Sequence, residues 1–208
     1  MTFKEQARVP MMMEHSPLGP ISLEGEVVDL EPLRPEHTHA VFAATEGVDW
    51  TWFLGPLKSI EAVSSRIADG LEAERRNDGF AFAVRLREGG RVIGSTSYLA
   101  VNQKHRRAEI GSTWYSPEYQ GTSVNPECKY LLLRHAFEDW GAVRVQFVTD
   151  ANNVHSQRAI AKLGAKLEGR MRNYGIRADG TPREVLLYSI VPQEWEEIGA
   201  RLKLRIHP

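Results

Sequence analysis

Cysteine is scarce here: the 208 residues hold one, Cys128. A single cysteine excludes an internal disulfide framework and fits a reducing cytosol. An excess of charge of one sign is also lacking. Lysine and arginine number 26 against 27 aspartates and glutamates, a net charge of −1. A general nucleic-acid binder carries a strong basic excess, so a nucleic-acid partner is not expected. Long apolar runs are missing too. None approaches the ~20 residues that a membrane span needs. The opening M-T-F-K-E-Q-A-R-V-P-M-M-M-E-H lacks the apolar stretch of a signal peptide. These absences read as a cytoplasmic protein without membrane contact.

What is present suits a packed core: 42% hydrophobic and 25% charged residues, a balance that excludes disorder. Residues 1–20 read as an N-terminal arm, with Pro10, Pro17 and Pro20 and no steady period. The Met11–Met13 run suits either a groove cover or a plain tail. Residues 21–208 read as a single domain without repeat or linker. Residues 21–34 alternate like a strand, and Pro35 opens a helix. Ser59 is an N-cap for a helix ending near Asn77-Asp78-Gly79. Residues 80–86 and 91–101 flank Gly89-Gly90 as a β-hairpin, and 106–115 adds a third strand to the meander. A helix over 124–140 carries an apolar face of Tyr130, Leu131, Leu133, His135, Ala136 and Phe137, with Glu127 and Lys129 placed off that face. A strand over 143–149 follows, then a helix capped by Asn153 and stopped by Gly164. Strands over 166–176 and 183–190 and a short helix from Pro192 complete the chain.

Two stretches carry chemistry. Gln120-Gly121-Thr122-Ser123-Val124-Asn125 precedes a helix. Backbone amides and the helix dipole there favour an anion such as a phosphate, and Gly121 permits close approach. An ordinary capped turn fits the same residues, and no Walker loop is present. Asn153 and Ser156 open the later helix, one turn apart, where Asn153 either caps or binds an amide-bearing ligand.

The order of these pieces resembles the GNAT superfamily of N-acetyltransferases, most closely the branch of ribosomal-protein N-terminal acetyltransferases. The family's acetyl-CoA motif overlays Gln120 to Asn125. Its Asn-x-x-Ser and Lys-Leu-Gly signatures overlay Asn153, Ser156 and Lys162-Leu163-Gly164, followed by Glu168-Gly169. The opening motif fits Leu23 to Leu33 and the ending fits Asp179 to Ser189.

The resemblance implies an α/β (α+β) GNAT fold, a mostly antiparallel mixed sheet of about seven strands flanked by helices. It implies acetyl-CoA as cosubstrate, no metal, and direct attack by a primary amine, from a protein N-terminus or a small molecule. Cofactor-binding residues are then Gln120, Gly121, Thr122, Ser123, Val124, Asn125, Asn153 and Ser156. Glu109 is the first choice of general base, with a structural strand carboxylate as the plain alternative. His135, on the apolar face, suits a core histidine, and His155 is a further option. Ser156 is the remaining candidate acid, because the helix after Asn153 holds no tyrosine where many members place one. Trp52, Trp114 and Tyr115 are expected to wall the acceptor pocket. The tract Lys104-His105-Arg106-Arg107 suits a solvated turn or a phosphate contact. Cys128 is expected to be a small buried hydrophobe rather than an acetyl carrier.

Two departures stand out: the cradle carries Ser123 for a glycine and Asn125 for a small residue, and the tyrosine of the helix after Asn153 is missing. They admit an alternative, a catalytically impaired CoA-binding regulatory or scaffold protein. Oligomeric state stays open, a homodimer being allowed because dimers are common among similar proteins.

Overall fold

The computed structural model describes residues 16–53, 55–177 and 180–207. The Met11–Met13 run lies outside the described residues. Alternating residues build β1 (Leu23–Glu24) and β2 (Val28–Pro32). A 3₁₀ turn at Pro35–His37 leads into α1 (Thr38–Ala44). Helix α2 (Ile60–Arg75) starts where the Ser59 hydroxyl accepts the Ala62 N–H at 3.2 Å, which satisfies one of the first-turn donors. Then come β3 (Phe80–Leu86), β4 (Val92–Asn102) and β5 (Arg107–Tyr115). Helix α3 (Val124–Arg134) continues as a π-helical turn, His135–Asp139. The rest is β6 (Arg144–Asp150), α4 (Val154–Leu163), β7 (Lys166–Ile176), β8 (Pro182–Ile190) and α5 (Pro192–Ile206).

Among the described residues the sheet holds eight strands in the order β1-β2-β3-β4-β5-β6-β8-β7. The extra strand over the expected seven arises because the opening stretch turns back on itself as β1 and β2. All neighbours are antiparallel except β5 and β6. Helices α3, α4 and α5 bury one face of the sheet, with Leu131, Leu132, Leu163, Ile198 and Leu202 in that cluster. Helices α1 and α2 cover the other face through Val41, Val63 and Ile67. Fully burying each such side chain stabilises the fold by roughly 1.5–3 kcal/mol. No described helix is long and apolar enough to cross a membrane.

Helix α3 departs from the amphipathic expectation. Glu127 and Lys129, placed off the apolar face by sequence, are both buried. The Glu127 carboxylate accepts the amides of Glu26 (2.6 Å), Val27 (2.8 Å) and Val28 (2.7 Å). It thus supplies acceptors to the β1–β2 turn and ties that turn to α3. The buried His135 sets its Nδ1 2.9 Å from Asp139 and its Nε2 3.0 Å from the Pro17 carbonyl. At the far edge, Arg144 of β6 grips Glu168 of β7 (2.6 and 2.5 Å), and the Ser189 hydroxyl of β8 donates to Glu168 at 2.6 Å. These bonds hold the Glu168 carboxyl down to about 2, from an ordinary 4.5.

Glu127→Ala strands three amides, and urea denaturation should show a loss of roughly 3 kcal/mol; a loss under about 1 kcal/mol would contradict the clamp. Because the Glu168 pKa is depressed on folding, its contribution is present above pH 4.5 and fades as pH falls toward 2. Thermal melts across that window should show a shallower acid-side fall in Glu168→Gln than in the parent.

Candidate active site

Strands β5 and β6 pair only through Arg107↔Arg144, Ala108↔Val145 and Glu109↔Gln146. Beyond that point they part. The far edge of β5 stays paired with β4 as far as Tyr115, and the far edge of β6 with β8 as far as Asp150. The facing edges of 110–115 and 147–150 therefore open a wedge whose backbone groups have no strand partner. Helices α3 and α4 follow the two carboxyl ends, which is where open α/β sheets bind ligands.

At the apex, Gln146 Nε2 donates to Glu109 Oε2 at 3.2 Å. Burial raises the Glu109 pKa, while the Gln146 hydrogen bond and the Arg183 charge pull it back in part. A Cβ on Gly111 would sit 3.2 Å from Glu109 Oε1 and 2.9 Å from Leu99, so glycine leaves the carboxylate room.

At the open end, Gly121 adopts φ +78°, a conformation that only glycine takes without strain. The Thr122 hydroxyl donates to Tyr119 O at 2.7 Å and accepts the Val124 amide at 3.3 Å. Gln120 Nε2 donates to Tyr115 O at 3.3 Å. Ser123, at the N-cap, makes no side-chain cap bond. No acceptor among the described residues meets the amides of Gly121, Thr122, Ser123 or Asn125. This turn, with the helix dipole behind it, fits a diphosphate. Asn153 caps α4 by accepting the Ser156 amide at 3.0 Å, which leaves its NH₂ group to donate. Ser156 is half-buried beside it.

A cavity of about 230 Å³ lies on the α1–α2 face of the sheet. Leu33, Val63 and Ile67 wall it, and Ser97, Leu99 and Ser112 are among the strand residues lining it. Leu99 pairs with Glu109 across β4–β5, so the cavity adjoins the apex of the wedge. Trp114 lines it and packs edge-on against the buried Trp50, ring centres 5.3 Å apart. Trp52 is partly exposed and does not line the cavity.

Tyr115 turns to the opposite face, where its hydroxyl donates to Asn125 Oδ1 at 3.1 Å. A β-bulge is the reason: between Ser95↔Trp114 and Ser97↔Gly111 strand β5 carries one extra residue, and Ser112 there has φ +47°. One extra residue reverses the facing of everything after it. Alternation from Glu109 would put Tyr115 on the cavity side; the bulge substitutes Trp114. His155 is exposed, as are Lys104 and His105 in the β4–β5 turn and Arg107 at the start of β5. Burial pushes the Cys128 thiol up to about 12. Among the described residues no group of His, Cys, Asp and Glu could hold a metal ion.

The family described as Acetyltransferase (GNAT) domain matches residues 28–166. The chain belongs to the GNAT N-acetyltransferase family. It is an acyltransferase similar to YoaA of Bacillus subtilis (strain 168), named an uncharacterized N-acetyltransferase, at 30% identity over 83% of this chain and 98% of that one. Two solved structures under 25% identical share the fold. A GCN5-related N-acetyltransferase from Brucella melitensis has a TM-score of 0.85 at 23% identity, covering 93% of this chain and 89% of its own. Mycobacterium smegmatis RimJ, solved in complex with CoA-disulfide, has a TM-score of 0.70 at 21% identity, covering 90% of each chain.

The buried thiol gives a prediction. Native protein at pH 8 should resist alkylation of Cys128 by iodoacetamide, and unfolded protein should react. Rapid native labelling would contradict the packing of α3.

Proposed function

We propose that this protein transfers an acetyl group from acetyl-CoA to a primary amine, a protein N-terminus or a small-molecule amine, by direct attack. The observation that carries the reading is the wedge itself. Its apex holds a raised-pKa carboxylate, its mouth an uncapped helix N-terminus, and its flank an apolar cavity. We take residues 21–208 as one catalytic domain, working in the cytoplasm, where a lone cysteine needs no disulfide partner.

Acetyl-CoA, when bound, supplies the activated thioester. The amides of Gly121, Thr122, Ser123 and Asn125 hold its diphosphate, with Gln120 and Val124 shaping the turn. The open edges of β5 and β6 and the Asn153 amide bind its peptide-like arm. The acceptor enters through the cavity beside Trp114, with Trp52 nearer solvent and Tyr115 bracing Asn125 from behind. An amine of pKa about 8–10.4 arrives mostly protonated at neutral pH. Glu109 takes that proton, and burial makes its carboxylate a stronger base than an exposed one. Strand amides face the charge that develops on the carbonyl oxygen, and Ser156 stands as the proton donor to the departing sulfur.

Thiol release from acetyl-CoA, measured against a panel of amines, tests the reading. Turnover with at least one amine is expected; tight CoA binding with no turnover would support a scaffold protein instead. Glu109→Gln should lower kcat by about 100-fold while leaving acetyl-CoA affinity unchanged. In the parent, kcat/KM should fall on the acid side with a limb above the ordinary glutamate value of 4.5, because protonation disarms the base. That limb should vanish in Glu109→Gln; its persistence would remove Glu109 from the role.

A further inference from the structure

Lys129 is buried in α3, yet no carboxylate among the described residues pairs with it. Glu127, the acidic residue on the same turn, is fully taken up by three backbone amides. Burial pulls the Lys129 amine down to about 8. A buried ammonium without a counter-charge is costly, and a leucine or methionine would fill the same space without that cost. Groups kept at such a cost concentrate at functional sites.

Among the described residues Lys129 makes one side-chain hydrogen bond. Lys129 Nζ donates to Thr113 Oγ1 at 2.8 Å. That hydroxyl also lies 2.7 Å from Thr96 Oγ1 and 3.3 Å from Gly111 O. One oxygen therefore joins α3, β4 and two points of β5. These points bracket the bulge at Ser112, whose positive φ is strained for a residue with a Cβ. The bulge sits where β5 no longer pairs with β6, beside the wedge, and it decides that Trp114 rather than Tyr115 faces the acceptor cavity.

We propose that Lys129 is a positioning residue for acetyl transfer: by holding Thr113 it fixes the β5 bulge, and with it the wedge-side amides and the Ser112–Trp114 cavity wall. The proposal rests on the acetyl-transfer reading of the wedge. It concerns alignment of the reacting groups rather than retention of CoA, whose diphosphate is bound at the far end.

Lys129→Met and Thr113→Val remove the bond from its two sides, and Thr113→Ser keeps it. Steady-state turnover with the best amine, acetyl-CoA affinity by calorimetry and melting temperature are measured for each. Lys129→Met and Thr113→Val should each lower kcat by about tenfold or more, since small misplacements of reacting groups are costly. Acetyl-CoA Kd should stay within about twofold, and Thr113→Ser should restore most of the rate. Should Thr113→Val, which leaves the buried ammonium without its hydrogen bond, not fold, Lys129→Met carries the test alone, because it removes that charge. Parent-like kcat in the folded variants would overturn the proposal, as would a matched loss of rate, affinity and melting temperature, the mark of a packing defect. Failure of the acetyl-transfer reading itself looks different: the unmutated protein would then acetylate no amine, and the positioning role would fall with it.

Discussion

The arrangement depends on one constraint of strand pairing. Strand β5 is committed along one edge to β4, and β6 is committed along one edge to β8. The two strands share only three paired positions before those commitments pull them apart. Unpaired backbone amides and carbonyls are expensive to bury, so the wedge must meet solvent or a ligand that offers hydrogen bonds in the same pattern. A peptide-like chain does so, which connects the sheet's geometry to the use of acetyl-CoA by this family.

The elements around the wedge are fastened by polar groups in the interior. Glu127 holds the β1–β2 turn against α3, and the Tyr98 hydroxyl of β4 donates to Leu132 O of α3 at 2.5 Å. Lys129 reaches β5 through Thr113. Helix α3 is thus anchored on three strands, and its amino end, which carries the amides of the Gly121 turn, is fixed relative to Glu109. Removing Glu127 and removing Lys129 should therefore differ: the first loosens the fold, the second disturbs the site within a standing fold.

Much of this was legible in the residues. Ser59, Asn153 and Gly164 mark helix ends through capping chemistry, and the Gly-Gly turn and strand alternation give the meander. The ordered motifs gave the family. What was hidden depends on distant contacts or on a single inserted residue. Nothing local in Glu127 or Lys129 signals burial, since their partners lie about 100 and 16 residues away. Ser112 reads as an ordinary strand residue, yet its bulge moves Tyr115 off the cavity wall and brings Trp114 in. The parting of β5 and β6 is a property of the whole sheet, and the exposed Trp52 looks no different in sequence from the buried Trp50.

The central claim is that the space between β5 and β6 is the acetyl-CoA site. A crystal structure of the protein grown with acetyl-CoA tests it most directly. The account predicts the thioester at the Glu109–Gln146 apex, the peptide-like arm bonded to the open edges of both strands, and the diphosphate on the amides of residues 121–125. Acetyl-CoA bound elsewhere, with β5 and β6 free of contact, would contradict it.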